Sequence, residues 1–544
     1  MKRILKAYGL ALLAILILPV LAVCGEPANN SVIKLQPSAC SRLPGLTISA
    51  GAIGLPTSGA VVRTAVMVPD TAPKNPNGRY CEVKGIIKPV HPASPNIEFE
   101  VNLPAAWNLR ALQMGGGGYD GHLVTGLTAF TLQPANVENP LKQGYVTLGS
   151  DGGHEGKPGF DGRFGMDDEA LLNYGKESIK KNHDVAMEII RKAYGRAPQR
   201  FYFIGGSQGG HEALDAAARY PDDYDGVVSN FPAYNVTMLH LGSLNVGRAL
   251  YANGGKGWIN PKKTKLITDA VYATCDKLDG VKDGIISNIK ACDAAFDVHK
   301  LRCPAGADTG DTCLSDAQIK AAKTIASSYK PGFEVAGADS FPKWPLFEGS
   351  LFQVSNFGTV RQPSNPLSGK ESLLYSVGDQ TAKFIITRNP KLDTMKFDPK
   401  KWERRIAKVA SIMDDTNVSL DKFRARGGKL ILTHGTIDDF IPPYNTIDYY
   451  ERQVRQFTQP VVDSFIRFYL IPGFCHGFGP FNAKFDSLTA LRNWVETGQA
   501  PAGLTVVDGN PNAHRSRPLC RYPTWPEFTG ALGTENSAAS FTCK

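Results

Sequence analysis

The chain has 544 residues, 42% apolar and 20% charged, which is enough for several domain-sized cores and too apolar for disorder. Its 55 glycines and 37 prolines indicate many loops without collagen-like or low-complexity character. Sixty basic against 51 acidic residues leave +9, but no run of five or six like charges occurs, which argues against nucleic acid as a partner.

Lys2, Arg3 and Lys6 precede an apolar stretch from Ala7 to Val23 that Pro19 interrupts. A basic start followed by such a stretch predicts a secretory signal peptide over residues 1–24, and it is slightly short for a membrane anchor. No second long apolar run follows, so the mature chain is expected to be secreted or periplasmic, without a membrane span. Cys24 follows Leu21-Ala-Val23, a faint lipoprotein pattern that the bulk of Val23 weakens. Nine cysteines remain beyond it: Cys40, Cys81, Cys275, Cys292, Cys303, Cys313, Cys475, Cys520 and Cys543. An odd number in an exported protein predicts one unpaired thiol, and spacing alone leaves the connectivity open.

Short apolar or β-rich runs at Ile97–Leu103, Ala111–Met114, Tyr145–Gly149, Phe201–Ile204 and Val227–Asn230 read as strands. Helical patterns at Tyr174–Tyr194 and His211–Arg219 alternate with them, which argues for an α/β domain with a mostly parallel sheet. The glycine-rich loop Met114-Gly-Gly-Gly-Gly118-Tyr-Asp-Gly121 follows an early strand. No Gly-Lys-Ser/Thr accompanies it, so a phosphate cradle is disfavoured. The segment Phe201-Tyr-Phe-Ile-Gly205-Gly-Ser207-Gln-Gly209 places G-x-S-x-G between a strand and an Ala-rich helix. That is the setting of a nucleophile elbow, which lifts a serine hydroxyl above a sheet.

After about Tyr234 the alternation stops, and residues 234–426 read as irregular, rich in Pro, Gly and Asp. An inserted domain there would cover the carboxyl ends of the strands as a lid, leaving 40–233 and 427–544 as the catalytic domain. The insert's Trp344, Phe347, Phe352 and Phe357 offer flat walls for a planar acyl group, or else form the lid's own core. It also carries Cys275-Asp276-Lys-Leu-Asp279-Gly-Val281-Lys-Asp283-Gly-Ile285. Three carboxylates with glycine bends, completed by the Val281 and Ile285 carbonyls, can wrap a hard cation. The alternative is a solvated acidic turn.

Strand and helix order resumes with Leu430–Thr433, Phe465–Ile471 and Phe485–Thr497. A serine nucleophile needs a base and an orienting carboxylate, in the chain order Ser, Asp, His for a hydrolase sheet. His476, in a turn after the second of these strands, is the expected base; His211 and His434 read as structural. Asp438 and Asp439 follow the first strand, and the H-G-x-x-D spacing favours Asp438. The oxyanion donors are expected to be the backbone amides of Gln208, directly after the nucleophile, and Gly117.

Gly115–Gly121, Ser150-Asp-Gly-Gly-His154, Tyr174-Gly-Lys-Glu-Ser178, the Ser207 elbow, Arg219-Tyr-Pro-Asp-Asp-Tyr-Asp-Gly226 and Phe231-Pro-Ala233 together resemble the tannase/feruloyl esterase family, from about Cys40 onward. The resemblance implies an α/β-hydrolase fold with a large inserted lid. It also implies a secreted serine carboxylic-ester hydrolase acting on feruloyl, galloyl or terephthaloyl esters. Ser207, Asp438 and His476 would be its triad, and a structural calcium ion would sit at Asp276, Asp279, Val281, Asp283 and Ile285. Near pairing and family position suggest disulfides Cys40–Cys81, Cys275–Cys292, Cys303–Cys313 and Cys520–Cys543, with Cys475 free. One departure stands out: the family's cysteines just before the serine and just after the histidine are here Gly206 and Gly477. A non-catalytic, calcium-stabilised binding protein on the same scaffold is the competing reading, disfavoured because serine, aspartate and histidine are all present. An esterase of non-aromatic esters is a further alternative.

Overall fold

The computed structural model describes residues 32–157, 160–352, 354–416 and 419–544, so the expected signal peptide and Cys24 lie outside the described residues. Ten strands form one mixed sheet: β1 (Thr47–Ile48), β2 (Ala60–Val68), β3 (Tyr80–Ile87), β4 (Ile97–Pro104), β5 (Arg110–Met114), β6 (Val146–Ser150), β7 (Arg200–Gly206), β8 (Gly226–Asn230), β9 (Lys429–Gly435) and β10 (Ile466–Ile471). Their spatial order is β10-β9-β8-β7-β5-β6-β4-β3-β2-β1. Strands β5 to β10 are mutually parallel, and β4 to β1 extend the sheet antiparallel.

The parallel strands are short, nearly unbroken apolar runs because helices cover both of their faces. Helix α1 (Ser178–Tyr194) buries Ile179, Val185, Ala186, Ile189 and Ile190 and stops at Gly195, whose φ of 76° suits a left-handed helix end. Helix α2 (Gln208–Arg219) follows β7, and α3 (Ser487–Thr497) packs Leu488, Leu491 and Trp494 into a core on the sheet. Strands β1 to β3 escape the sequence reading. Exposed Arg63 and Thr64 break the apolar pattern of β2, and Gly85 interrupts β3. A Cβ on Gly85 would lie 2.3 Å from the Val61 carbonyl oxygen, so that glycine allows the two strands to approach.

Among the described residues between β8 and β9 no strand joins the main sheet. The segment that reads as irregular is instead largely helical, with helices at Val236–Gly255, Pro261–Cys275, Asp316–Ile325, Leu373–Gln380 and Glu403–Met413. Val236–Gly255 gives no amphipathic signal because it is buried on nearly every face. Leu250, Ile267, Trp344 and Ile406 belong to the insert's apolar core, which also takes in Tyr119, Phe164 and Tyr174. Residues 32–544 form one compact unit.

Disulfides join Cys40 to Cys81, Cys275 to Cys292, Cys303 to Cys313 and Cys520 to Cys543, and Cys475 is a buried free thiol. Among the described residues no helix is long and apolar enough to cross a membrane. The parallel sheet, the sharp turn after β7 and the helical insertion after β8 are those of an α/β-hydrolase fold with a large insert.

Candidate active site

The β7–β8 register sets Asn230 opposite Gly206, and the Asn230 carbonyl accepts the Ser207 amide at 3.0 Å. Ser207 then turns sharply, with φ 62° and ψ −121°, a strained backbone for a residue with a side chain. The flanking glycines make the turn possible. A Cβ on Gly205 would stand 2.1 Å from the Gly209 carbonyl oxygen, and one on Gly209 would stand 2.8 Å from that of Gly116.

Asp438 leaves the end of β9 and is fully buried. Its Oδ1 accepts the amides of Phe440 (2.9 Å) and Ile441 (3.0 Å), and its Oδ2 lies 2.8 Å from His476 Nδ1. Burial alone would raise the Asp438 pKa, but His476 and His434 hold the carboxyl well below the usual carboxylate range. For His476, burial pushes the pKa down, while the Asp438 charge and hydrogen bond more than offset it, leaving the imidazole above its ordinary value. His434, which the sequence marks as structural, has Nε2 2.8 Å from the Ile441 carbonyl and 3.4 Å from Asp438 Oδ2, with Nδ1 at Thr446 Oγ1 (2.7 Å). It braces the acid. Asp439, also buried, accepts the Cys475 thiol at 3.3 Å.

Asp438 and His476 are thus joined, whereas no hydrogen bond closes between Ser207 Oγ and His476. The elbow and the histidine meet through Phe231, whose ring centroid lies 4.6 Å from that of His476 and whose edge would lie 3.0 Å from a Cβ on Gly206. Gly477 has φ 94°, a backbone that favours glycine over cysteine. The histidine loop is tied to the acid loop instead. The Ile437 amide donates to the Phe474 carbonyl (3.3 Å), the Gly473 amide to Thr436 Oγ1 (3.2 Å), and the Thr436 amide to the Ile471 carbonyl (2.9 Å).

The Gln208 side chain accepts the Tyr174 hydroxyl at 3.1 Å, and its backbone amide starts α2. Gly117 differs from expectation: its amide donates to Asp120 Oδ1 at 3.0 Å and is not held ready for an oxyanion. Buried Asp120 needs that donor, just as buried Glu212 takes the Gly116 amide at 2.7 Å. Burial, together with the charge of neighbouring acids, pushes both carboxyls above the usual range. The sequence reading missed this pair, although Asp120 sits in the glycine-rich loop and Glu212 in the helix after the elbow.

Of the two readings of the insert's aromatics, the core holds and the cleft wall does not. Trp344, Phe352 and Phe357 are buried in the insert's core, Phe352 stacked on Phe357 at 4.8 Å, and Phe347 packs on Phe296. The insert reaches the acid loop through polar bonds. Ser350 Oγ donates to the Ile437 carbonyl (3.0 Å), Asn356 Nδ2 to that of Asp439 (3.2 Å) and Trp344 Nε1 to that of Phe440 (3.3 Å). The aromatic rings at His476 are Phe231 and Phe440, with Phe160 5.4 Å from Phe440.

In the acidic loop Asp276 Oδ1 accepts the Gly284 amide and Asp279 Oδ2 that of Ser287, each at 2.8 Å. Both carboxyls are buried, and burial raises both pKa values, that of Asp279 to about 6. Neither has an ion-pair partner among the described residues, whereas Asp283 pairs with Arg517. Buried carboxylates without a counter-charge are what a hard divalent cation would satisfy, although among the described residues the Asp276, Asp279 and Asp283 oxygens do not gather into one cluster of ligand atoms.

A family model described as tannase and feruloyl esterase matches residues 81–544. The uncharacterized esterase Atu5261 of Agrobacterium fabrum is 38% identical over 93% of this chain and 92% of its own. The mono(2-hydroxyethyl) terephthalate hydrolase of Piscinibacter sakaiensis is 31% identical over 90% of this chain and 89% of its own. The crystal structure of feruloyl esterase B from Aspergillus oryzae has the same fold, with a TM-score of 0.75 at 22% identity over 93% of this chain and 99% of that one. On these likenesses the chain is a carboxylic ester hydrolase and belongs to the tannase and feruloyl esterase family.

Proposed function

We propose that the protein is an exported serine esterase that cleaves small aromatic carboxylic esters by way of an acyl-enzyme. Ser207 Oγ attacks the ester carbonyl while His476 Nε2 takes its proton, and buried Asp438 holds the proton on Nδ1 and stabilises the imidazolium. The Gln208 amide receives the oxyanion. His476 then protonates the leaving alcohol, and water releases the acid by the same steps. The observation that carries this reading is the 2.8 Å contact between His476 Nδ1 and a fully buried Asp438 on the sheet that bears the Ser207 elbow. The aromatic preference is supported by Phe231, Phe440 and Phe160 around His476 and by the terephthalate and feruloyl esters named for relatives.

Export is supported by the basic and apolar start of the chain. The insert acts as a lid, and Asp276, Asp279 and Asp283 with the Val281 and Ile285 carbonyls would hold a calcium ion that braces its loop. The test is one matched pair of substrates, methyl ferulate against methyl hexanoate. The aromatic ester should have a kcat/KM at least about tenfold higher, equivalent to roughly 1.4 kcal/mol. Equal rates would remove the aromatic preference, and no turnover of either ester would remove the catalytic reading.

A further inference from the structure

Phe231 directly follows β8, and its backbone is strained. Its φ is 35°, in the left-handed region that a bulky aromatic residue rarely enters. The Phe231 amide donates to the Thr433 carbonyl of β9 at 2.6 Å, which helps to hold that conformation. Backbones of this kind persist only where the surroundings over-determine them, and they gather at functional sites. Here the surroundings are the supports of the proposed triad. Ring atoms Cε2 and Cζ would each lie 3.0 Å from a Cβ on Gly206, the residue before Ser207. The ring centroid lies 6.3 Å from that of His434, which braces Asp438, and 6.1 Å from that of Phe474 in the histidine turn. His476 is nearer still, at 4.6 Å. Phe231 is 4% exposed, so nearly all of its ring faces these neighbours.

Asp438 grips the imidazole through one atom, 2.8 Å from Nδ1. A single hydrogen bond fixes where that nitrogen lies and leaves the ring free to tilt about it, which swings Nε2. Packing just past the base does not supply the missing constraint, since a Cβ on Gly477 would meet no atom within 4 Å. The plane is set by the flanking rings, Phe231 and Phe440, and Phe440 is the more exposed and more distant of the two, at 5.2 Å. We propose that Phe231 is a positioning residue for the ester hydrolysis: its ring, seated on Gly206, holds the His476 imidazole in the plane that aims Nε2 at Ser207 Oγ. One rigid group thus touches both sides of the gap between nucleophile and base and sets their separation as well as the tilt. A side chain at position 206 would displace the ring, which is the reason for glycine there. The role rests on the serine-esterase reading and adds to it a residue that takes no part in bond making.

The test is steady-state hydrolysis of p-nitrophenyl acetate by the full chain and by its Phe231→Leu, Gly206→Ala and double variants. Leucine fills much of the same space without a flat face, so kcat should fall about tenfold or more while KM stays within about twofold. Asp438 still holds the proton on Nδ1, so the acid limb of kcat/KM should keep its wild-type midpoint. Gly206→Ala should lower kcat several-fold, and adding it to Phe231→Leu should cost nothing further, because the ring atoms it displaces are gone. A Phe231→Leu kcat within about twofold of an active wild type, or losses that add in the double variant, would overturn the proposal. A displaced acid limb would overturn it too, by placing the effect in the Asp438 contact. If Phe231→Leu does not fold, Gly206→Ala decides alone, and an unchanged kcat there overturns the role. No turnover by the wild type, or full turnover by Ser207→Ala, would bring down the esterase reading and this role together.

Discussion

Trp344, buried in the insert, donates its indole N–H to the carbonyl of Phe440, two residues beyond Asp438. With Ser350 and Asn356 it fixes three carbonyls of the turn that carries Asp438, so the insert helps position the carboxylate proposed as the catalytic acid. Trp344→Phe, Ser350→Ala and Asn356→Ala should each reduce stability by about 1 kcal/mol and lower kcat several-fold. Denaturant titration beside steady-state kinetics checks this, and an unchanged kcat in all three would confine these bonds to stability.

Ser207→Ala, His476→Ala and Asp438→Asn should each lower kcat by about a thousandfold or more. The double and triple variants should lose little beyond the worst single one, because the three act as a unit. Asp439→Asn, which faces the Cys475 thiol, should be milder than Asp438→Asn. The reverse order would move the acid to Asp439.

The base must be neutral to accept the serine proton, and Asp438 raises the pKa of His476. The acid limb of kcat/KM should therefore have its midpoint above the ordinary histidine value of about 6.5. In Asp438→Asn the residual activity should show that limb displaced to lower pH, because burial then acts on His476 without the compensating charge. A pH profile of both proteins decides it.

The strained turn at Ser207 and the pairing of Asp438 with His476 were legible because each sits in a stretch whose residue types have few other uses: glycines around Ser207, a His-Gly turn before Asp438, a glycine-lined turn at His476. Strands β4 to β10 were legible as apolar runs. The helix Val236–Gly255 was not, since periodicity vanishes when all faces of a helix are buried. Neither was the engagement of Gly117 by Asp120, nor the bracing of Asp438 by His434, because both depend on which loops meet in space. The place of the insert's aromatics stayed open for a related reason: composition alone cannot separate the lining of a cleft from the filling of a core.

If the 276–285 loop holds calcium as proposed, a chelator should lower the melting temperature and loosen that loop. The sign with pH is informative. Asp279 has a folded-state pKa raised to about 6, so without the ion its contribution is most favourable at low pH and is lost as pH rises through about 6. Chelated protein should thus lose on the order of 2 kcal/mol between about pH 4 and pH 7. Calcium-loaded protein should be flat across that range. Parallel pH curves with no response to chelation would argue against the ion.

One thiol should react with a thiol reagent only after unfolding, and peptide mapping should place it at Cys475. Burial and the nearby Asp439 and Asp438 charges push its pKa up, so the folded protein presents little thiolate. Rapid labelling of the native protein would contradict that environment.

The four disulfides span only 41, 17, 10 and 23 residues, and none crosses another. A chain emerging N-terminus first can therefore seal each bridge before the cysteines of the next appear, with no distant segments to sort. Among the described cysteines the single hazard in that sequence is Cys475, which is exposed to Cys520 until Cys543 arrives. Burial against the acid loop removes it, so the same packing that orders the histidine turn also protects the fidelity of oxidation.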